Sequence, residues 1–412
     1  TLFNIFINDL ASEIKNMNLG ISFGADRISI LMYADDVVIL SDNVEDMQNM
    51  INTVNKWCCT WKMKINLTKS KILHFRKQET PLCTTNVYLG ANPISYVPYY
   101  KYLGVYFDEY LDFCHHATIV ADSASRALGA LIAKFKKSKF MGIESYTKCY
   151  NACVLPVLTY GAEVWGYSAE TKTVLIQNKA MRVFLGVNQR APNLGMIGDL
   201  AWTPHSISKQ LCLLNYWNRV ISMDNDRLCK KVFNYTYLKN GRWCKTVKNI
   251  FRNLDMMEIY NEKQLCDIRS CKQKLLSTYS SKWKQLIAKK PKLRTYCTIK
   301  SEFVTEKYIK FNLSPQERSI LAQFRLGTLP LQIEIGRFEN VKAEERICKI
   351  CKSGVEDEIH FLFLCPLYAA KRETFFSDLN IDLQQDFSKI TKDLFQNNPR
   401  QLGKYLLNIF DI

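Results

Sequence analysis

The sequence predicts an α+β chain. A first part of short antiparallel strands and helices gives way to a mostly α-helical remainder that carries a small cysteine–histidine module near its end. Three observations predict this. Two apolar, β-branched runs at 27–33 and 37–41 flank Ala34-Asp35-Asp36, the pattern of a β-hairpin with two carboxylates at its turn. From about residue 113 the apolar spacing becomes helical and stays so. Far downstream, Cys348, Cys351, His360 and Cys365 have the residue types and pair spacings of a tetrahedral metal site.

The elements follow in order. Residues 1–11 read as a short helix with Leu2, Phe3, Phe6, Ile7 and Leu10 on one face. After the hairpin, Val44, Met47, Ile51, Val54, Cys58 and Trp61 recur at three- and four-residue steps, an amphipathic helix that Asp42 or Asn43 can cap. Strands are expected at 71–75, 87–89 and 102–107. Helices are expected at 117–135, 146–165 and 171–185, the second interrupted by Pro156, with a polar break near 186–192. Residues 205–310 read as helical, basic and irregular. No internal repeat is visible.

Composition narrows the class. The chain has 412 residues, 47% hydrophobic, enough for several cores. No apolar run approaches the roughly 18 residues that span a membrane, and no signal peptide is visible. The chain starts at Thr1 with an apolar stretch at 2–7, and we read it as beginning inside a domain. Its 56 Lys and Arg against 39 Asp and Glu leave a net charge of +17, which favours a polyanionic partner. Residues 263–300 hold eleven basic residues and one acid, Asp267, interleaved with Tyr279, Trp283 and Tyr296. That segment reads equally as a solvated helix or as a surface that contacts phosphates and stacks bases. Most of the fifteen cysteines, such as Cys149, Cys153 and Cys212, read as small buried hydrophobes.

Two adjacent aspartates at a hairpin tip repel one another, and a divalent cation relieves this; hard oxygen ligands suit Mg2+. On spacing alone, an ordinary Asp-Asp turn is the plainer reading. The wider sequence changes the balance. Leu31-Met32-Tyr33-Ala34-Asp35-Asp36-Val37-Val38-Ile39 resembles the palm motif of reverse transcriptases. Residues 1–10 resemble the helix that follows the template-and-nucleotide-gripping motif in non-LTR enzymes. Trp57, Trp61, Asn66 and Lys69 stand as in the next motif, and Tyr100-Lys101-Tyr102-Leu103-Gly104-Val105 resembles the turn that grips the primer end. Ser125–Gly129, Tyr160–Trp165 and Ile176–Arg182 resemble the helical thumb and the region after it.

The resemblance implies an RNA-directed DNA polymerase of a non-LTR (LINE-type) retrotransposon, with RNA template, DNA primer or target, and dNTPs as partners, no membrane, and a nuclear or cytoplasmic ribonucleoprotein as its setting. Asp35 and Asp36 would be catalytic, metal-binding residues. Tyr33, Tyr102, Leu103 and Gly104 would meet primer or nucleotide, and Lys69 the triphosphate; read alone, Lys69 is a solvated residue before a strand and 102–104 an ordinary glycine turn. The implied organisation is a partial palm at 1–110, a thumb at 111–190, a basic connector at 191–314, and a tail at 315–412. The family's further catalytic aspartate would lie before Thr1, so the chain by itself is expected not to polymerise.

The run Lys134, Lys136, Lys137 and Lys139 would meet the template–primer backbone in a thumb; otherwise it is a favourable cationic helix end. Cys114-His115-His116 has no second ligand pair nearby and reads as structural. In the tail, Cys348, Cys351, His360 and Cys365 read as a closed, structural Zn2+ site. Glu356-Asp357-Glu358 and Phe361-Leu362-Phe363-Leu364-Cys365-Pro366 strengthen its resemblance to the Cys-Cys-His-Cys module that ends many non-LTR polyproteins. The alternative from another class is a non-catalytic nucleic-acid-binding remnant of a degenerate retroelement. A maturase or telomerase-like protein shares the palm but does not predict this tail.

Overall fold

Among the described residues, the regular elements are four separate two-stranded antiparallel sheets, all before residue 110, and a succession of helices. The computed structural model describes residues 2–138, 141–167 and 172–410; the expectations placed on Thr1, Lys139 and Thr171 lie outside them. The strands are β1 (Ile21–Phe23), β2 (Asp26–Ile28), β3 (Ile30–Tyr33), β4 (Asp36–Ile39), β5 (Val87–Leu89), β6 (Asn92–Ile94), β7 (Tyr99–Tyr102) and β8 (Val105–Asp108). Each odd strand pairs with the even strand after it. The chain forms two compact units, Thr1–His116 with Glu163–Ser168 and Leu213–Cys266, and Ala117–Ala162 with Ala169–Cys212 and Asp267–Ile412.

In the first unit, helix Val44–Thr60 forms where the apolar spacing placed it. The Asn43 side chain accepts from the Asp46 amide and caps it. Its inner face joins Ile7, Leu10, Ile14 and Ile30 in a core with Met50, Trp57 and Cys58. Three strand and helix expectations are corrected. Leu2 and Phe6 are exposed, so of the first stripe Ile7 and Leu10 are buried in that core and Phe3 packs partly buried against it. Residues 71–75 form no strand; Ile72 makes a lone bridge to Tyr96. The strand expected at 102–107 is two strands, β7 and β8, turning at Leu103-Gly104.

In the second unit, helix Ile143–Cys153 ends at Val154 and Leu155–Thr159 restarts with Pro156 in its first turn, where a missing N–H costs nothing. Lys134, Lys136 and Lys137 lie in the last turn of Cys114–Lys137, where the helix dipole favours cations. Helix Asn193–Leu200 carries Gly195 and Gly198 one turn apart. A Cβ on Gly198 would lie 2.4 Å from Trp283 and 2.5 Å from the Tyr296 hydroxyl, so Gly198 lets two large side chains approach the backbone, while a Cβ on Gly195 would meet Leu326.

That packing corrects the stacking reading of 263–300. Trp283 and Tyr296 are fully buried, and the Trp283 indole donates to the Leu194 carbonyl at 2.8 Å. Neither ring is available to a base. Most lysines of helix Ile268–Ala288 face outward, while Asp267, the segment's one acid, caps it at the Arg269 and Ser270 amides. The cysteine reading is corrected as well. Cys153 is exposed and Cys149 and Cys212 half-exposed, whereas Cys58, Cys244, Cys266, Cys271, Cys348 and Cys365 are the buried ones.

Candidate active site and metal centre

The β3–β4 hairpin pairs Ile30 with Ile39, Leu31 with Val38, Met32 with Val37 and Tyr33 with Asp36. Side chains alternate along a strand. Met32, Val37 and Ile39 therefore pack on the core with Ile30, while Tyr33 and Asp36 share the opposite face. The loop is two residues, Ala34-Asp35, and Ala34 takes φ 52°. An alanine there carries roughly 1–2 kcal/mol of steric strain, which the paired strands hold in place. Tyr33, Asp35 and Asp36 are all exposed.

The second hairpin bears on the first. Leu103 and Gly104 link β7 to β8 with φ 46° and 83°; two left-handed residues in a two-residue loop make a type I′ turn. Tyr102, at the end of β7, is half-buried. Its phenol pKa is raised, first by burial and then by the Asp36 charge. The Tyr100 hydroxyl donates to the Lys69 carbonyl at 2.9 Å. Asn66 shapes that segment: its side-chain oxygen accepts from the Thr68 and Lys69 amides and the Thr68 hydroxyl. The result is an Asx turn with Lys69 exposed. Among the described residues, no third carboxylate, thiol or imidazole joins Asp35 and Asp36 in a metal-holding group.

The two histidines after the turn serve packing. His116 is buried and accepts from the Tyr106 amide at 3.2 Å, with its ring against Trp165. Burial, then the neighbouring His115, lowers its pKa to about 4. His115 stacks on Tyr99 with centroids 3.9 Å apart.

Cys348, Cys351, His360 and Cys365 converge. Their ligand atoms all lie within 4.8 Å of one another, and Cys351 Sγ is 3.3 Å from His360 Nε2. Tetrahedral Zn–S bonds of about 2.3 Å set sulfur atoms roughly 3.8 Å apart, so the residues present fit such an ion. The first two cysteines sit on a tight turn closed by Cys348 N–H to the Gly354 carbonyl. His360 opens a single π-helical turn, and the buried Phe361, Leu362 and Phe363 form the module's core. Hydrogen bonds from Ser353 lower the Cys351 thiol to about 6, while burial raises Cys365 to about 11. The acidic run before His360 holds the ligands. Glu356 accepts from the Gln332 amide at 2.8 Å and lies 3.5 Å from Cys348 Sγ. Asp357 accepts from the His360 amide at 2.8 Å. Glu358, buried, pairs with Arg294 at 2.6 Å and accepts from the Thr295 hydroxyl.

Residues 1–107 match the family described as reverse transcriptase (RNA-dependent DNA polymerase). The "RNA-directed DNA polymerase from mobile element jockey" of Drosophila funebris is 27% identical over 197 residues, which cover 45% of this chain and 21% of that protein. The "Probable RNA-directed DNA polymerase from transposon BS" of Drosophila melanogaster is 25% identical over 159 residues, 36% of this chain and 18% of that protein. Residues 1–107 are reverse-transcriptase sequence, and the similar proteins are polymerases of mobile elements. The chain matches about a fifth of the length of these curated relatives. The reverse-transcriptase match ends inside β8, so it takes in both hairpins and the Asn66–Lys69 turn, while the Cys-Cys-His-Cys cluster lies beyond it.

One constellation, beyond the residues that match the reverse-transcriptase family, escaped the sequence reading. In the second unit, Arg325 and Asp199, both fully buried, form a two-pronged pair at 2.8 and 2.9 Å, and the Tyr308 hydroxyl donates to the same carboxylate. A lone Asp in the apolar run 193–200 was the available signal, because a buried carboxylate needs a partner.

Proposed function

We propose that this chain carries the metal- and primer-facing part of an RNA-directed DNA polymerase of a non-LTR retrotransposon, with RNA template, DNA primer and dNTPs as its substrates. The observation that carries the reading is the exposed two-aspartate hairpin within residues that match the reverse-transcriptase family, with the Asp36 charge felt at Tyr102 beside the Leu103-Gly104 turn. Asp35 and Asp36 would hold Mg2+, which when bound stabilises charge developing on the transferred phosphoryl group. Tyr33, Tyr102, Leu103 and Gly104 would set the primer end, and Lys69, exposed on its Asx turn, would face the triphosphate. Residues 1–110 then act as palm, 111–190 as thumb, 191–314 as basic connector and 315–412 as a tail in which Cys348, Cys351, His360 and Cys365 bind one structural Zn2+. The working setting is a nuclear or cytoplasmic ribonucleoprotein.

The absence of a third ligand beside Asp35 and Asp36 among the described residues favours a second reading for the chain on its own, nucleic-acid binding without catalysis. One experiment addresses both. A primer–template with a photoreactive 3′-terminal nucleotide is crosslinked to the 412-residue chain, and extension is assayed with Mg2+ in parallel. We expect the crosslink on the peptide that bears Tyr102–Gly104, with extension no higher than in an Asp35→Ala, Asp36→Ala control. A crosslink confined to other peptides overturns the primer assignment. Extension above the control overturns the inactivity of the isolated chain.

A further inference from the structure

A groove of about 750 Å³ opens within the second unit. Its floor is Trp202, stacked on Tyr150 with centroids 4.6 Å apart and pinned by an indole hydrogen bond to the Thr147 hydroxyl at 3.0 Å. Gln177 fixes the adjoining loop, donating to the Thr203 carbonyl and accepting from the His205 amide. Tyr150 is 2% exposed, and its hydroxyl has no hydrogen-bond partner in the protein. A buried hydroxyl left in that state costs free energy, and Tyr150 belongs to the groove lining. Three lysines, Lys148, Lys272 and Lys310, line the same groove from three different helices or helix ends. All three are exposed, and none pairs with a carboxylate among the described residues. Glu144 is the one acid in the lining.

We propose that this groove binds the phosphodiester backbone of a single-stranded nucleic acid over two or three nucleotides, with phosphates among Lys148, Lys272 and Lys310 and one phosphate oxygen accepting the Tyr150 hydroxyl. The volume suits a short single strand and not a duplex. The floor rings are buried, so bases find no stacking face, and recognition rests on phosphate charge and hydroxyl donation. Binding is therefore tolerant of sequence. The site is built from second-unit residues and stands or falls apart from the aspartate hairpin.

The test is fluorescence anisotropy of the 412-residue chain with ten-nucleotide oligo-dT and oligo-U, each titrated with salt. For single strands, the slope of log K against log salt is about −0.7 per phosphate neutralised. Lys148→Gln, Lys272→Gln, Lys310→Gln should make that slope shallower by about 2. Tyr150→Phe keeps the buried ring and should weaken binding several-fold with the slope unchanged. A control that removes three exposed lysines elsewhere in the unit (Lys389→Gln, Lys392→Gln, Lys404→Gln) should change the slope far less. Equal losses with both oligomers assign the shared phosphate chemistry; a loss with one alone names that polymer as the occupant. A groove variant no different from the control, or a Tyr150→Phe chain that binds as tightly as the parent, overturns the proposal.

Discussion

Replacing Arg325 by Leu removes the cation from a pair whose other half cannot reach water. Asp199 is 0% and Arg325 1% exposed. The guanidinium meets Asp199 through two hydrogen bonds, lies 3.4 Å from Glu306, and sits within 5.1–5.4 Å of the ring centres of Tyr296, Tyr308 and Phe395. After the substitution Asp199 keeps the Tyr308 hydroxyl, and Glu306 keeps Lys300 at 2.6 Å. One neutral donor does not compensate a buried carboxylate. Removing one partner of a buried ion pair costs about 3–5 kcal/mol. For a unit of this size each kcal/mol moves Tm by roughly 2–4 °C, so a drop on the order of 10 °C is expected in the second unit's transition. The double variant Asp199→Leu, Arg325→Met removes both charges and should be more stable than Arg325→Leu alone, because no uncompensated charge remains at Asp199. Differential scanning calorimetry with both variants decides the matter. An Arg325→Leu transition within about 1 kcal/mol of the parent, or a double variant less stable than the single, refutes the reasoning.

Other perturbations probe other contacts. Gly198→Ala drives a methyl into Trp283 and Tyr296 and should cost about 1–3 kcal/mol by overpacking, read by urea denaturation; an unchanged midpoint would show that the rings give way freely. The parent chain should carry one zinc by atomic absorption and the Cys348→Ser, Cys351→Ser chain none, with chelation loosening the residues around Phe361; unchanged metal content in the variant refutes the assignment. Burial, then the Lys209 charge, lowers the His205 pKa to about 4 from the usual 6.5, and neither ring nitrogen has a partner. The unfolded chain therefore takes up a proton below pH 6.5 that the folded one refuses. Second-unit stability should be full above pH 6.5 and fall by at most about 1.4 kcal/mol per unit as pH drops toward 4. His205→Phe should flatten that part of the Tm–pH curve, and a slope equal to the parent's would refute it.

Periodicity and turn chemistry made the first unit largely legible. The apolar steps from Val44 and the cap at Asn43 are local signals, and the structure follows them. The glycine turn at 102–104 was expected, but the run 102–107 still read as one strand, for a local reason too. A two-residue I′ loop normally announces itself with Asn-Gly or Asp-Gly, and here Leu103 holds the first left-handed position. The basic segment misled because its aromatics were read as interleaved with charge when they lie in phase with a helix face. Cys271, Leu275, Tyr279, Trp283 and Ile287 recur every four residues, and all but the half-buried Tyr279 are buried. Four-residue recurrence marks a core stripe; aromatics that served bases would fall on the lysine face. What no local pattern carries is long-range pairing. Nothing near Asp199 in the sequence points to Arg325, since the two meet only through tertiary packing.

The acidic run before His360 shows how far a motif reaches beyond its ligands. Glu356, Asp357 and Glu358 look interchangeable in sequence, yet each meets a different partner. Asp357 orients the His360 backbone, Glu356 ties the first cysteine's surroundings to Gln332, and Glu358 pairs with Arg294 from the basic segment. Arg294 also reaches Glu334, which Lys292 and Arg337 contact as well. These carboxylates are therefore fixed points between the Cys-Cys-His-Cys cluster and residues far upstream, the kind of support that orients a ligand set. Were an ion held by the four side chains, Arg294 would tie its occupancy to the order of residues 292–295 through Glu358 and Glu334, so the two would be one linked equilibrium.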